Sequence, residues 1–157
     1  MRTVPAYSYR AYSYRDDPAV PSFPDDRPLI IFDGVCALCS GFVRFVLRHD
    51  PRGQFRFAPA QSALGTALYR HYGLNPENWE SNLLIAEGAL HLRSEAAIGI
   101  VSRFGGVWHL VRLLRVLPRS WRDQLYDIVA ANRYRWFGQH AYCAVPDPAL
   151  ADRFLGE

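Results

Sequence analysis

A four-residue apolar run, Leu29–Phe32, is followed at once by Asp33-Gly34 and then by two cysteines, Cys36 and Cys39. From Cys39 onward Phe42, Val43, Val46 and Leu47 recur at helical spacing, with Arg44 and Arg48 on the other face. A short apolar run reads as a buried strand, Asp-Gly ends it, and the 3.6-residue period that follows reads as an amphipathic helix. The chain is therefore bound to an α/β arrangement in which both sulfurs sit where a strand gives way to a helix.

The pattern continues in kind. Pro51 and Gly53 close the first helix. Residues 54–58 alternate polar and apolar as a half-buried strand that ends at Pro59. Ser62 caps a helix with apolar positions Leu64, Leu68 and Tyr72, ending at Gly73. Residues 82–86 and 89–93 read as two strands joined at Glu87-Gly88, and Ser94 reads as the N-cap of a helix through about Phe104. The order β-α-β-α-β-β-α calls for a parallel strand pair from the first crossover and an antiparallel hairpin at the end. The expected fold is α/β: a small mixed sheet flanked by helices. After Gly105-Gly106 two more helices are expected, Val107 to Leu117 and one from Ser120 to about Asn132. Trp121, Leu125, Ile128 and Val129 give the second an apolar face. Residues 132–148 are aromatic and irregular, and are expected to wrap back over the sheet.

Cysteines at this junction suit thiol exchange. A thiolate at a helix N-terminus meets free backbone N–H groups and the positive end of the helix dipole. Both favour the charged form and lower the thiol pKa from about 8.5. Cys36 reads as the more exposed attacking thiolate and Cys39 as the shielded thiol that resolves the mixed disulfide. Asp33 lies three residues before Cys36. Its charge opposes thiolate formation. Its place in the motif fits a loop-shaping acceptor of backbone N–H bonds, a proton acceptor for Cys39, or a plain turn residue, and Gly34 permits the turn.

Composition narrows the class. Among 157 residues half are hydrophobic, enough for one domain with a sizeable core. No apolar run reaches the length of a bilayer span, and the N-terminus lacks the apolar stretch of a secretory signal. A cytoplasmic protein is expected, where three cysteines rest as thiols. The net charge is +3, and every basic side chain is Arg. The arginines are scattered, so nucleic acid is not an expected partner, and neither is a membrane. Arg112, Arg115, Arg119 and Arg122 read as a solvated face rather than a lipid-binding stripe. Arg133 and Arg135 beside Trp136 and Phe137 read as arginines stacked on core aromatics. His49, His71, His91 and His109 have no partner at a meaningful spacing, and neither a phosphate loop nor a hydrolase triad is present.

The stretch "FDGVCALCSGF" at 32–42 resembles the signature of the DCC family of thiol–disulfide oxidoreductases, named for its Asp-Cys-Cys pattern. The resemblance continues through "FRFAPAQS" at 55–62, "LRSEAA" at 92–97 and "NRYRWFGQHAYC" at 132–143. It implies a thioredoxin-like fold and protein-disulfide reductase activity, with Cys36 and Cys39 as the redox pair and Asp33 as the motif's acid. No bound cofactor is implied. The partners are a disulfide-containing protein or small-thiol substrate and a cellular thiol reductant. In one respect the chain departs from thioredoxins, which place a cis-proline before the third strand; here "NWES" stands there, and Pro59 follows the second strand instead. The rival reading is structural zinc held by Cys36, Cys39, His140 and Cys143, or a non-catalytic interaction module. The expected domain layout is a disordered tail over 1–27, with its direct repeat "AYSYR" and Pro18, Pro21 and Pro24 ahead of Pro28, a domain over 28–146, and a C-terminal tail over 147–157.

Overall fold

The computed structural model describes residues 10–78, 82–139 and 148–155. Four strands form one mixed sheet in the order β2-β1-β3-β4. They are β1 (Leu29–Phe32), β2 (Arg56–Pro59), β3 (Leu83–Ala86) and β4 (Ala89–Leu92). β1 pairs with β2 in parallel, placing Phe32 opposite Pro59, and with β3 antiparallel. β3 and β4 form the hairpin, with Glu87 and Gly88 both at positive φ in its two-residue turn. This is the small mixed α/β sheet flanked by helices that the sequence pattern predicts, consistent with the thioredoxin-like fold that the family resemblance implies, with a C-terminal helical extension.

Strand alternation sorts the core into two halves. Leu29 and Ile31 of β1 join Leu83 and Ile85 of β3 under α2 (Ala63–His71), against Leu64, Leu68 and Tyr69. Ile30 and Phe32 join Leu84 and Ala86 on the other face, against Val43 and Val46 of α1 (Ala37–His49) and Ala96 and Ile100 of α3 (Arg93–Val101). Ser62 caps α2 as expected, its Oγ accepting from Gly65 N–H at 3.0 Å. Gly65 itself lies against the chain leaving β2: a Cβ there would stand 2.3 Å from Pro59 O.

Several elements differ from expectation. Ser94 does not cap α3; Leu92 holds that position, and Ser94 Oγ donates to Asp123 instead. The segment Gly106–Val116 is a 3-10 helix rather than an α-helix, and none of its residues is buried. The last helix, α4 (Arg119–Phe137), runs five residues past Asn132 and takes its N-cap from Pro118.

Residues near both ends of the chain pack on the domain where they are described. Tyr14 is 4% exposed in the α2-side core, its hydroxyl donating to Asp25 at 2.9 Å. His71 of α2 lies 2.8 Å from both Asp17 and Ser13. At the other end Phe154 stacks on Phe57, and Arg153 pairs with the buried Asp50 at 2.6 Å. A few aromatic and charged anchors hold these segments, whose average polarity is high.

Candidate active site

Cys36 is the N-cap of α1, with extended backbone, and its Sγ accepts the Cys39 N–H at 3.3 Å. The strand-to-helix junction therefore does what the motif predicts: it aims an unpaired helix N–H at a sulfur. Both cysteines are free thiols. The Cys39 thiol also donates to Cys36, and this bond is the main force lowering the Cys36 pKa to about 6. The Cys39 and Leu38 N–H groups and the charge of Arg133 act in the same direction, against the cost of burial. For Cys39 the same bond, its burial and the neighbouring sulfur charge push the pKa far up. These influences favour the charged form of Cys36 and the protonated form of Cys39 beside it.

Exposure corrects the expected division of labour in one respect. Cys36 is 0% exposed and Cys39 7%. The chain leaving α4 lies across the first cysteine: Gln139 bridges Cys36, and Gly138 O accepts Ala37 N–H at 3.2 Å. Acidity is therefore set by hydrogen bonding and the helix end, not by contact with water.

Asp33 is buried at the end of β1 and gathers four donors. Its Oδ1 accepts Val35 N–H at 3.0 Å and Gln61 Nε2 at 2.7 Å. Its Oδ2 accepts Arg133 Nη2 at 3.3 Å and the Tyr134 hydroxyl. Gln61 returns an acceptor to Gly34 N–H at 3.0 Å, so it clamps the loop between strand and helix. The Phe32–Pro59 register brings Gln61 there, since Ala60 N–H still bonds Phe32 O and the chain turns immediately afterwards. The Arg133 guanidinium lies over the Tyr134 ring at 4.6 Å, while Trp136 and Phe137, the expected stacking partners, are exposed.

Gln61, Arg133 and Tyr134 are site neighbours that sequence reasoning did not place at the site. Their only signal was position inside the "FRFAPAQS" and "NRYRWFGQHAYC" segments. Beside Cys39 a cleft of about 170 Å³ opens between α1, α3 and α4, walled by Leu38, Phe42, Ile100, Tyr126 and Val129 and bordered by Arg133. His140 and Cys143, the remaining candidate zinc ligands, lie outside the described residues. Among the described residues no cluster of three metal-ligating side chains occurs.

A thioredoxin-like sheet with an acidic N-cap cysteine and a second thiol one turn later has the architecture of the thiol–disulfide exchange class. The chain belongs to the DCC1-like thiol-disulfide oxidoreductase family, whose pattern matches residues 30–139. It is 38% identical over 127 residues to the uncharacterized protein YuxK of Bacillus subtilis (strain 168), covering 81% of this chain and 93% of that one. It is also 38% identical over 120 residues to the DCC family protein At1g52590, chloroplastic, of Arabidopsis thaliana, covering 76% and 70%. No solved structure matches the chain.

Proposed function

We propose that this protein is a protein-disulfide reductase that works by dithiol–disulfide exchange through Cys36 and Cys39, with Asp33 organising the site. The observation that carries this reading is the unequal pair: one sulfur whose charged form is favoured at a helix N-terminus, the other donating to it. The Cys36 thiolate attacks a substrate disulfide, forming a Cys36–substrate mixed disulfide and releasing one substrate thiolate. Cys39 then loses its proton to that leaving thiolate, attacks Cys36 Sγ and expels the second substrate thiolate. Two electrons pass to substrate, and the protein is left with a Cys36–Cys39 disulfide for a cellular thiol to reduce. Asp33 orients the loop through Val35 and Gln61 and holds Arg133, whose charge favours both thiolates. Because Cys36 is covered, attack requires the Gly138–Gln139 chain to move aside.

The test is interception of the intermediate. Cys39→Ser, in a Cys143→Ser background, accumulates covalent adducts with cellular proteins that dithiothreitol releases. Cys36→Ser accumulates none. Absence of adducts from Cys39→Ser, together with failure of the unmodified protein to reduce insulin, overturns the reading.

A further inference from the structure

Helix α4 is turned inside out. Its polar residues Arg122, Asp123, Tyr126, Asp127, Arg133 and Tyr134 face the domain, where they bond Glu95, Ser94, Arg93 and Asp33. Its apolar residues Trp121, Leu125, Ile128 and Trp136, at spacings that keep one helical face, are 53% to 64% exposed. An ordinary surface helix does the reverse.

The 3-10 helix before it repeats the arrangement at its own period. Residues three apart eclipse in such a helix. Val107, Leu110, Leu113 and Val116 therefore form one ridge, and all four are exposed, Val116 at 84%. His109, Arg112 and Arg115 form the next ridge, also exposed. The third ridge starts with Trp108, which packs inward on Phe45, His49 and Phe104.

Charge decides what fits this face. From Ala96 through Arg122 the chain carries five arginines and no acid. The two acids of α4, Asp123 and Asp127, are paired with Arg119 and Arg93. Arg115 and Arg122 share Glu95, and Arg119 pairs with Asp123, so four arginines with Arg112 meet only two acids and the flank of the apolar ridge keeps a net positive charge. Leucine, valine and tryptophan on one side with arginine beside them is the chemistry of a helix lying in a lipid headgroup layer. A second copy fits less well, since face-to-face packing would set one arginine row against another.

We propose that residues 106–136 form a docking surface for an anionic phospholipid bilayer, on which the protein lies without spanning it. No helix among the described residues is long and apolar enough to cross a membrane. Val129 belongs both to the exposed face of α4 and to the wall of the cleft beside Cys39, so docking places that cleft at the bilayer edge. This inference goes beyond the exchange reaction and stands independently of it.

The experiment is co-sedimentation of the reduced full chain with vesicles of phosphatidylcholine, with or without about 30% phosphatidylglycerol. Binding to the anionic vesicles is expected, with a blue shift of tryptophan emission, and it weakens at about 0.5 M salt. Arg112→Gln/Arg119→Gln lowers partitioning about tenfold or more. Leu110→Ser/Leu113→Ser abolishes it, with the circular dichroism spectrum unchanged. Should either variant fold poorly, the lipid and salt comparisons on the unmodified protein still decide. No binding to anionic vesicles, or equal binding to neutral ones, overturns the proposal. So does a concentration-dependent dimer that Leu113→Asp dissociates, which would assign the face to a second copy.

Discussion

Asp33 and Arg133, 100 positions apart in the chain, meet at 3.3 Å beside the cysteine pair, and both are buried. The bond joins the end of the first strand to the last long helix, so the site is complete only when α4 docks. Removing one partner of a buried ion pair leaves the other charge desolvated, at a cost of about 3–5 kcal/mol. Asp33→Ala is therefore expected to lower unfolding free energy by roughly that amount, and Asp33→Ala/Arg133→Met to recover much of it. Urea denaturation of the single and double variants measures this coupling.

The acidity of Cys36 makes a pH prediction. Alkylation of the reduced protein is expected to modify Cys36 first, with a rate that rises through a midpoint near pH 6 and then levels. Cys39→Ala removes the thiol donor and shifts the midpoint upward, toward the free-thiol value of about 8.5. Arg133→Met shifts it the same way, by less. The sign for stability follows: a thiolate favoured by the fold stabilises the reduced protein above the free-thiol range, and that contribution fades as pH falls through about 6. Peptide mapping of the labelled protein across pH checks site and midpoint together, and first labelling at Cys39 would reverse the assignment.

Gly65 predicts a site effect from a distant backbone contact. A methyl group there overlaps Pro59 O at 2.3 Å and Ala60 Cα at 2.8 Å, and both are backbone. Gly65→Ala should cost about 1–3 kcal/mol and push the Pro59–Gln61 turn away from the motif loop. Since Gln61 bonds both Asp33 and Gly34, disulfide reduction should fall more than the loss of stability explains. Comparing rates well below the melting temperature separates the two effects.

Tyr14 tests whether the N-terminal segment belongs to the domain. Its ring is buried with Leu29, Leu68 and Tyr72, and its burial and its bond to Asp25 push its pKa up. Tyr14→Ala is expected to cost about 3 kcal/mol, in the range of large-to-small core substitutions. A disordered tail would show no change in the urea midpoint.

The order of strands and helices, the hairpin turn and the Ser62 cap were legible because each depends on neighbours within a few residues. The same holds for the two cysteines: strand, Asp-Gly and helical period are local, and they suffice to put Cys36 at a helix N-terminus. Arg133, Tyr134 and Gln61 were not legible as site residues. Nothing in their own surroundings distinguishes them from ordinary loop or helix positions; strand register and the docking of α4 bring them to Asp33.

The sharpest divergence lies in α4 itself. Periodicity alone established an amphipathic helix with Trp121, Leu125 and Ile128 on one side. It carried no information on which side faces the domain. Tertiary structure decided that, because Arg122, Asp123, Asp127 and Arg133 have partners on α3, at its N-terminus and at Asp33, and burying such charges is affordable only where those partners wait. A local pattern fixes the helix and its stripe, while the direction of the stripe depends on groups far away in sequence that the fold brings within hydrogen-bonding distance.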